Sequence, residues 1–171
     1  FEKARAKVVY TNLHGTGGRC IVPILKQIGC NVSTVAEQDV PDGRFPAVAS
    51  PNPENAPALD MAIAQADAEQ ADLVIATDPD ADRCGIMVRN RENKFVTVTG
   101  NQAGALLLDY ILTAYEQTGS MPKAPYAVKT IVTTELATKI CSEHKVDLFN
   151  VLTGFKYIGE VIGGLEAEGR E

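Results

Sequence analysis

The chain has 171 residues, 45% of them hydrophobic and 22% charged, which suffices for one core or one and a half and excludes a disordered segment. A net charge of −6 and a pI near 5.0 leave no basic stripe for nucleic acid or an anionic membrane, and no signal peptide or apolar run of membrane length is present. Cys20, Cys30, Cys84 and Cys141 lack C-x-x-C pairing and zinc-finger histidines, so they read as free buried thiols of a reducing cytoplasm. Phe1, standing where an initiator Met would be, points to a segment of something larger.

In chain order, Lys7 to Leu13 reads as a buried strand, and Gly15 and Gly17-Gly18 turn it into a helix over Arg19 to Ile28, closed by Gly29. Asn31 to Ala36 is a second strand. The Pro- and Asp-rich loop Asp39 to Pro53 is long enough to suggest function. Glu54 to Gln70 has helical spacing, and Ala71 to Thr77 is a third strand. Cys84 to Arg89 and Phe95 to Val98 form a hairpin through Asn90-Arg91-Glu92-Asn93. Strands alternating with helices predict a three-layer α/β/α domain over residues 1–99, its sheet mixed but mostly parallel, with the hairpin at one edge. A second, partial α/β/α unit covers residues 100–171. It consists of a helix over Gln102 to Thr118, a linker from Gly119 to Pro125, strands Tyr126 to Val132 and Val146 to Leu152, and helices Glu135 to Glu143 and Phe155 to Glu168.

The chemistry concentrates in Asp78-Pro79-Asp80-Ala81-Asp82-Arg83, directly after the third strand. Like charges about 4 Å apart repel by roughly 4 kcal/mol at an effective dielectric near 20. Either the three carboxylates point into water or a hard cation sits among them. Oxygen-only ligands suit Mg²⁺, Mn²⁺ or Ca²⁺ rather than zinc. Arg83 can face an anion that the same cation touches, which is equipment for phosphoryl transfer. An EF-hand loop starting at Asp78 would need Gly and Glu where Arg83 and Arg89 stand, and helices on both sides. That reading fails.

His14-Gly15-Thr16-Gly17-Gly18 links a strand to a helix, the setting of a backbone phosphate site, but matches neither a Walker loop nor G-x-G-x-x-G. Its glycines serve equally well as a plain turn. His14 could steady the acidic loop or simply pack. Thr153-Gly154-Phe155-Lys156 also links a strand to a helix. There Thr153 can bond a sugar or phosphate oxygen or cap the helix, and Gly154 admits close approach.

The acidic hexapeptide and its surroundings resemble the α-D-phosphohexomutases, the phosphoglucomutase and phosphomannomutase superfamily. Four further blocks carry the resemblance in the family's order: Thr11-Asn12-Leu13-His14-Gly15-Thr16-Gly17, Pro51-Asn52-Pro53-Glu54, Thr99-Gly100-Asn101-Gln102 and Thr153-Gly154-Phe155-Lys156-Tyr157-Ile158-Gly159-Glu160. The spelling looks most like the phosphoglucomutase branch that includes phosphopentomutase-like members. Ser50-Pro51-Asn52-Pro53 is not the family's phosphoserine loop, for no His separates Ser50 from Asn52.

The resemblance implies a four-domain parent, with residues 1–99 as its second domain and 100–171 as the first part of its third. It implies Mg²⁺ on Asp78, Asp80 and Asp82, held against a phosphoserine outside this chain. Arg83 is then the catalytic group neutralising charge on the transferring phosphate. Thr153, Gly154 and Lys156 become substrate-binding residues. The parent would move phosphate between O1 and O6 of a hexose through glucose 1,6-bisphosphate, in the cytoplasm, with a phosphosugar and the missing domains of the same polypeptide as partners. The chain alone would be inactive. Phosphopentomutase or phosphomannomutase activity, or a non-catalytic metal- or phosphate-binding module, are the alternatives.

Overall fold

The computed structural model describes residues 6–170. They fall into two compact units, Phe1–Thr99 and Gly100–Glu171. In the first, strands β1 (Lys7–Thr11), β2 (Asn31–Thr34), β3 (Leu73–Thr77), β4 (Cys84–Arg89) and β5 (Phe95–Val98) form one sheet in the order β2-β1-β3-β4-β5. β1 runs parallel to both β2 and β3, while β4 runs antiparallel to both of its neighbours, β3 and β5. The mixed, largely parallel α/β sheet with an antiparallel hairpin at one edge is therefore present.

Register decides which side chains meet. Val9 stands opposite Val74, and Val74 opposite Met87, so these residues share one face, with Ala76 two positions on. A 3₁₀ turn (Ala56–Leu59) and helix α3 (Asp60–Glu69) cover that face with Leu59, Ala62 and Ala66. The two alanines are small enough to let α3 lie close to the sheet. The opposite face carries Tyr10 and Thr77. There α1 (Gly18–Gln27) lies along β1 and β2 without burying any side chain.

The expected boundaries shift for local reasons. β1 stops at Thr11 rather than Leu13, because Leu13 and His14 adopt left-handed φ values of 47° and 63°. β2 stops at Thr34, where a short helix, α2 (Ala36–Asp39), replaces the expected end of the strand. The helix expected from Glu54 opens as the 3₁₀ turn, whose first residues include Pro57, a position where a missing N–H costs nothing. It ends at Gln70, left-handed at φ 53°. The expectation of buried thiols holds only for Cys141. Cys20 and Cys84 are exposed and Cys30 partly so, though all four are free. Cys20 lies on α1, the helix that buries nothing.

In the second unit, β6 (Tyr126–Thr130) and β7 (Asp147–Val151) pair in parallel. They are joined by α5 (Leu136–Glu143), which packs on α4 (Gly100–Thr118), and α6 (Phe155–Ala167) packs on both strands. Leu112, Cys141 and Val146 form the buried centre. Leu106, Leu107, Tyr110 and Ile111 of α4 stay exposed. Among the described residues no helix is long and apolar enough to cross a membrane.

Candidate metal centre

β1 and β3 are parallel neighbours, yet β1 leads through α1 to β2 on the side away from β3. Loops leaving the carboxyl ends of such strands diverge and open a crevice, the usual ligand position in α/β sheets. The acidic loop leaves β3 at this point. Asp78 is 1% exposed, whereas Asp80 and Asp82 face solvent. Ala81 N–H donates to the Asp78 carbonyl at 3.0 Å, and Ala81 is left-handed at φ 61°. That turn folds the chain back, so that one oxygen from each of Asp78, Asp80 and Asp82 lies within 4.8 Å of the others.

Arg83 closes the loop. Its main-chain N–H donates to one Asp78 oxygen at 3.0 Å and its Nε to the other at 2.8 Å, with Asp82 at 3.7 Å. Burial opposes ionisation of Asp78, but these Arg83 bonds outweigh it and hold the carboxyl below its ordinary range. The repulsion surfaces at Asp82, which is pushed up by its contact with Asp78 and by the Asp80 charge. One cation thus stands against three carboxylates. The all-oxygen donor set and its residual negative charge fit a hard divalent ion such as Mg²⁺.

The β1–α1 turn lies against this loop. Thr16 donates its N–H at 2.9 Å and its hydroxyl at 3.2 Å to the Pro79 carbonyl. A Cβ on Gly15 would overlap the Pro79 backbone, and one on Gly17 would crowd the Tyr10 and Thr77 hydroxyls. These two glycines are there for close approach, and the Thr16 N–H is not free for a phosphate. His14 does not steady the acidic loop. It is 4% exposed, its Nε2 accepts from Ala47 N–H at 3.2 Å, and its Nδ1 lies 3.1 Å from the Val40 carbonyl. The first contact requires a bare Nε2 and the second a proton on Nδ1, so the neutral ring staples the Asp39–Pro53 loop. That loop returns to the sheet at Pro53, whose carbonyl a Cβ on Gly85 would overlap. Ser50 is an exposed loop residue.

The other expected site residues lie in the second unit. Thr153 and Lys156 are exposed after β7, and Lys156 Nζ sits 4.8 Å over the Tyr157 ring. Gly154, at φ 136°, is itself the N-cap of α6, so Thr153 does not cap this helix. Sequence reasoning missed Lys129 in β6. It is 6% exposed, and its Nζ donates to the Thr133 carbonyl at 3.1 Å and Glu135 Oε1 at 2.9 Å. Hydrogen bonding from Lys129 lowers the Glu135 pKa. Thr130 pairs with Val151, so Lys129 stands at the same carboxyl edge as Thr153. A lysine inside the run Tyr126-Ala127-Val128-Lys129 was the available signal, since lysine is rarely buried without purpose.

Residues 1–115 match the family described as phosphoglucomutase/phosphomannomutase, alpha/beta/alpha domain II, and residues 99–167 match its alpha/beta/alpha domain III. A phosphoglucomutase of Staphylococcus epidermidis is 44% identical over 163 residues, covering 95% of this chain and 29% of that protein. The chain thus spans under a third of the curated relative's length. Among solved structures, a phosphoglucomutase/phosphomannomutase family protein from Burkholderia thailandensis superposes with a TM-score of 0.73 at 22% identity, over 98% of this chain and 33% of the other. Aspergillus fumigatus N-acetylphosphoglucosamine mutase, solved with GlcNAc-6P and magnesium, superposes at 0.58 and 16% identity, over 93% of this chain and 33% of the other.

Proposed function

The chain belongs to the phosphoglucomutase/phosphomannomutase family, within the α-D-phosphohexomutases, and from that premise we propose that it is the metal-binding and part of the sugar-binding portion of a phosphohexomutase. The observation that carries this reading is the convergence of Asp78, Asp80 and Asp82 oxygens within 4.8 Å beside the fixed Arg83. Mg²⁺ held there supplies Lewis-acid polarisation of a phosphoryl oxygen. Arg83, anchored by its Nε to Asp78, is the catalytic group that neutralises charge on the transferring phosphate. Thr153, Gly154 and Lys156 contact the phosphosugar.

Phosphate then moves between O1 and O6 of a hexose by way of glucose 1,6-bisphosphate. The serine that stores the phosphoryl group lies in a part of the protein beyond these 171 residues, and without it the chain does not turn over. Free thiols fit a cytoplasmic setting. Phosphomannomutase activity is the second reading, favoured by the family's own dual description.

Calorimetric titration with MgCl₂ tests the metal assignment. One saturable site is expected, weakened by Asp80→Asn by about tenfold. Identical, unsaturable heats from both proteins would overturn it.

A further inference from the structure

Building on that metal reading, we propose that Thr16 is a positioning residue for the acidic loop, holding Asp80 in place through the Pro79 carbonyl. Asp78 needs no such help: it is buried and both its oxygens are bonded to Arg83. Asp80 is different. It is exposed, and among the described residues no hydrogen bond or ion pair holds its carboxylate. Its placement therefore depends on its backbone, and the peptide plane entering Asp80 carries the Pro79 carbonyl. Thr16 fixes that plane, because the N–H at 2.9 Å and the hydroxyl at 3.2 Å together occupy both lone pairs of one oxygen.

The turn that presents Thr16 is itself rigid. Gly15 N–H donates to the Asn12 carbonyl at 2.7 Å, and Asn12 Nδ2 donates back to the Gly15 carbonyl at 2.7 Å. Gly15 lets this turn lie directly on Pro79. At the base of the acidic loop, the Tyr10 and Thr77 hydroxyls bond at 2.8 Å. The β1–α1 turn is thus a seat for the metal loop, and it turns the Pro79 carbonyl toward Thr16. Mg²⁺ demands near-ideal octahedral geometry, so a loosened Asp80 lowers affinity even when all three carboxylates remain.

Two measurements on the chain test this, using Thr16→Val, which keeps the N–H and loses the hydroxyl, and Thr16→Ser, which restores it. Metal-free amide exchange at Ala81, the residue after Asp80, should quicken about fivefold in Thr16→Val and recover in Thr16→Ser, with Arg83, β1 and β3 unchanged. Mg²⁺ titration should show about a fivefold weaker Kd for Thr16→Val, again recovered by Ser. Unchanged exchange and unchanged affinity in Thr16→Val would overturn the proposal while leaving the metal site standing. Uniformly faster exchange throughout the first unit would make Thr16 merely structural and also overturn it. If the unaltered chain binds no Mg²⁺ while exchange still responds to Thr16, the metal reading fails and Thr16 positions nothing for catalysis.

Discussion

Arg83 grips Asp78 with two donors of different origin, its own main-chain N–H on one oxygen at 3.0 Å and its side-chain Nε on the other at 2.8 Å. The carboxylate is almost wholly buried, while the Arg83 side chain is 53% exposed. Arg83→Ala keeps the backbone bond but leaves one buried oxygen without its partner. A loss of stability is expected, softened because water can enter where the half-exposed guanidinium stood. Urea unfolding of the first unit measures it, and an unchanged midpoint would show that the pairing does not stabilise the fold.

Arg89 is a second structural arginine, outside the acidic loop. Its guanidinium bonds the Ala71 carbonyl at 2.8 Å, the Ala66 carbonyl at 3.0 Å and Asp67 Oδ1 at 2.8 Å, and stacks 4.2 Å over Phe95. It adds a donor to the Ala66 carbonyl, which already accepts the Ala71 N–H at 2.8 Å, and serves the Ala71 carbonyl just past the end of α3. Arg89→Lys keeps the charge and loses the planar fork. Destabilisation of about 1–3 kcal/mol is expected by chemical unfolding, with Mg²⁺ affinity unaltered.

In the second unit, His144 at the end of α5 lies 2.9 Å from Glu116 and 3.4 Å from Asp109, both on α4. The Glu116 contact chiefly raises its pKa above 6.5, against a smaller opposing effect of burial. A raised folded value means that protonation favours the folded state. The stabilisation is full below about pH 6.5 and disappears as pH rises through the folded value. His144→Gln should therefore flatten the pH dependence of melting near neutrality. A variant that melts with the same pH profile would remove His144 as its source.

The two units should differ in protection. Nine buried residues form the core of the first unit's sheet, against three in the second, and several large apolar side chains of α4 remain exposed. Amide exchange should protect Val9 and Val74 more than Val128. The reverse order would contradict a second unit with an incomplete core.

Much of the fold was legible because its signals are local. The apolar runs of β1 and β3, the hairpin bounds Cys84–Arg89 and Phe95–Val98, and the long apolar periodicity of α4 each follow from adjacent residues. The acidic loop was legible for the same reason: Asp78, Asp80 and Asp82 converge through a turn made within six residues.

What escaped the sequence depends on residues far apart in the chain. His14 could be read either as steadying the acidic loop or as packing, and it packs, with both its nitrogens held by the 40–47 segment. Thr16 meets Pro79 across 63 positions, and Gly85 of β4 lies against the Pro53 carbonyl of a distant loop. Exposure of Cys20 and Cys84, and the burial of Lys129, likewise rest on which helix covers which face. Spacing and residue type by themselves determined most of the strands and helices and the clustering of Asp78, Asp80 and Asp82. Strand order, which sets β1 beside β3, decided what steadies that cluster, because hydrogen bonds and steric contacts act over a few ångströms whatever the separation along the chain.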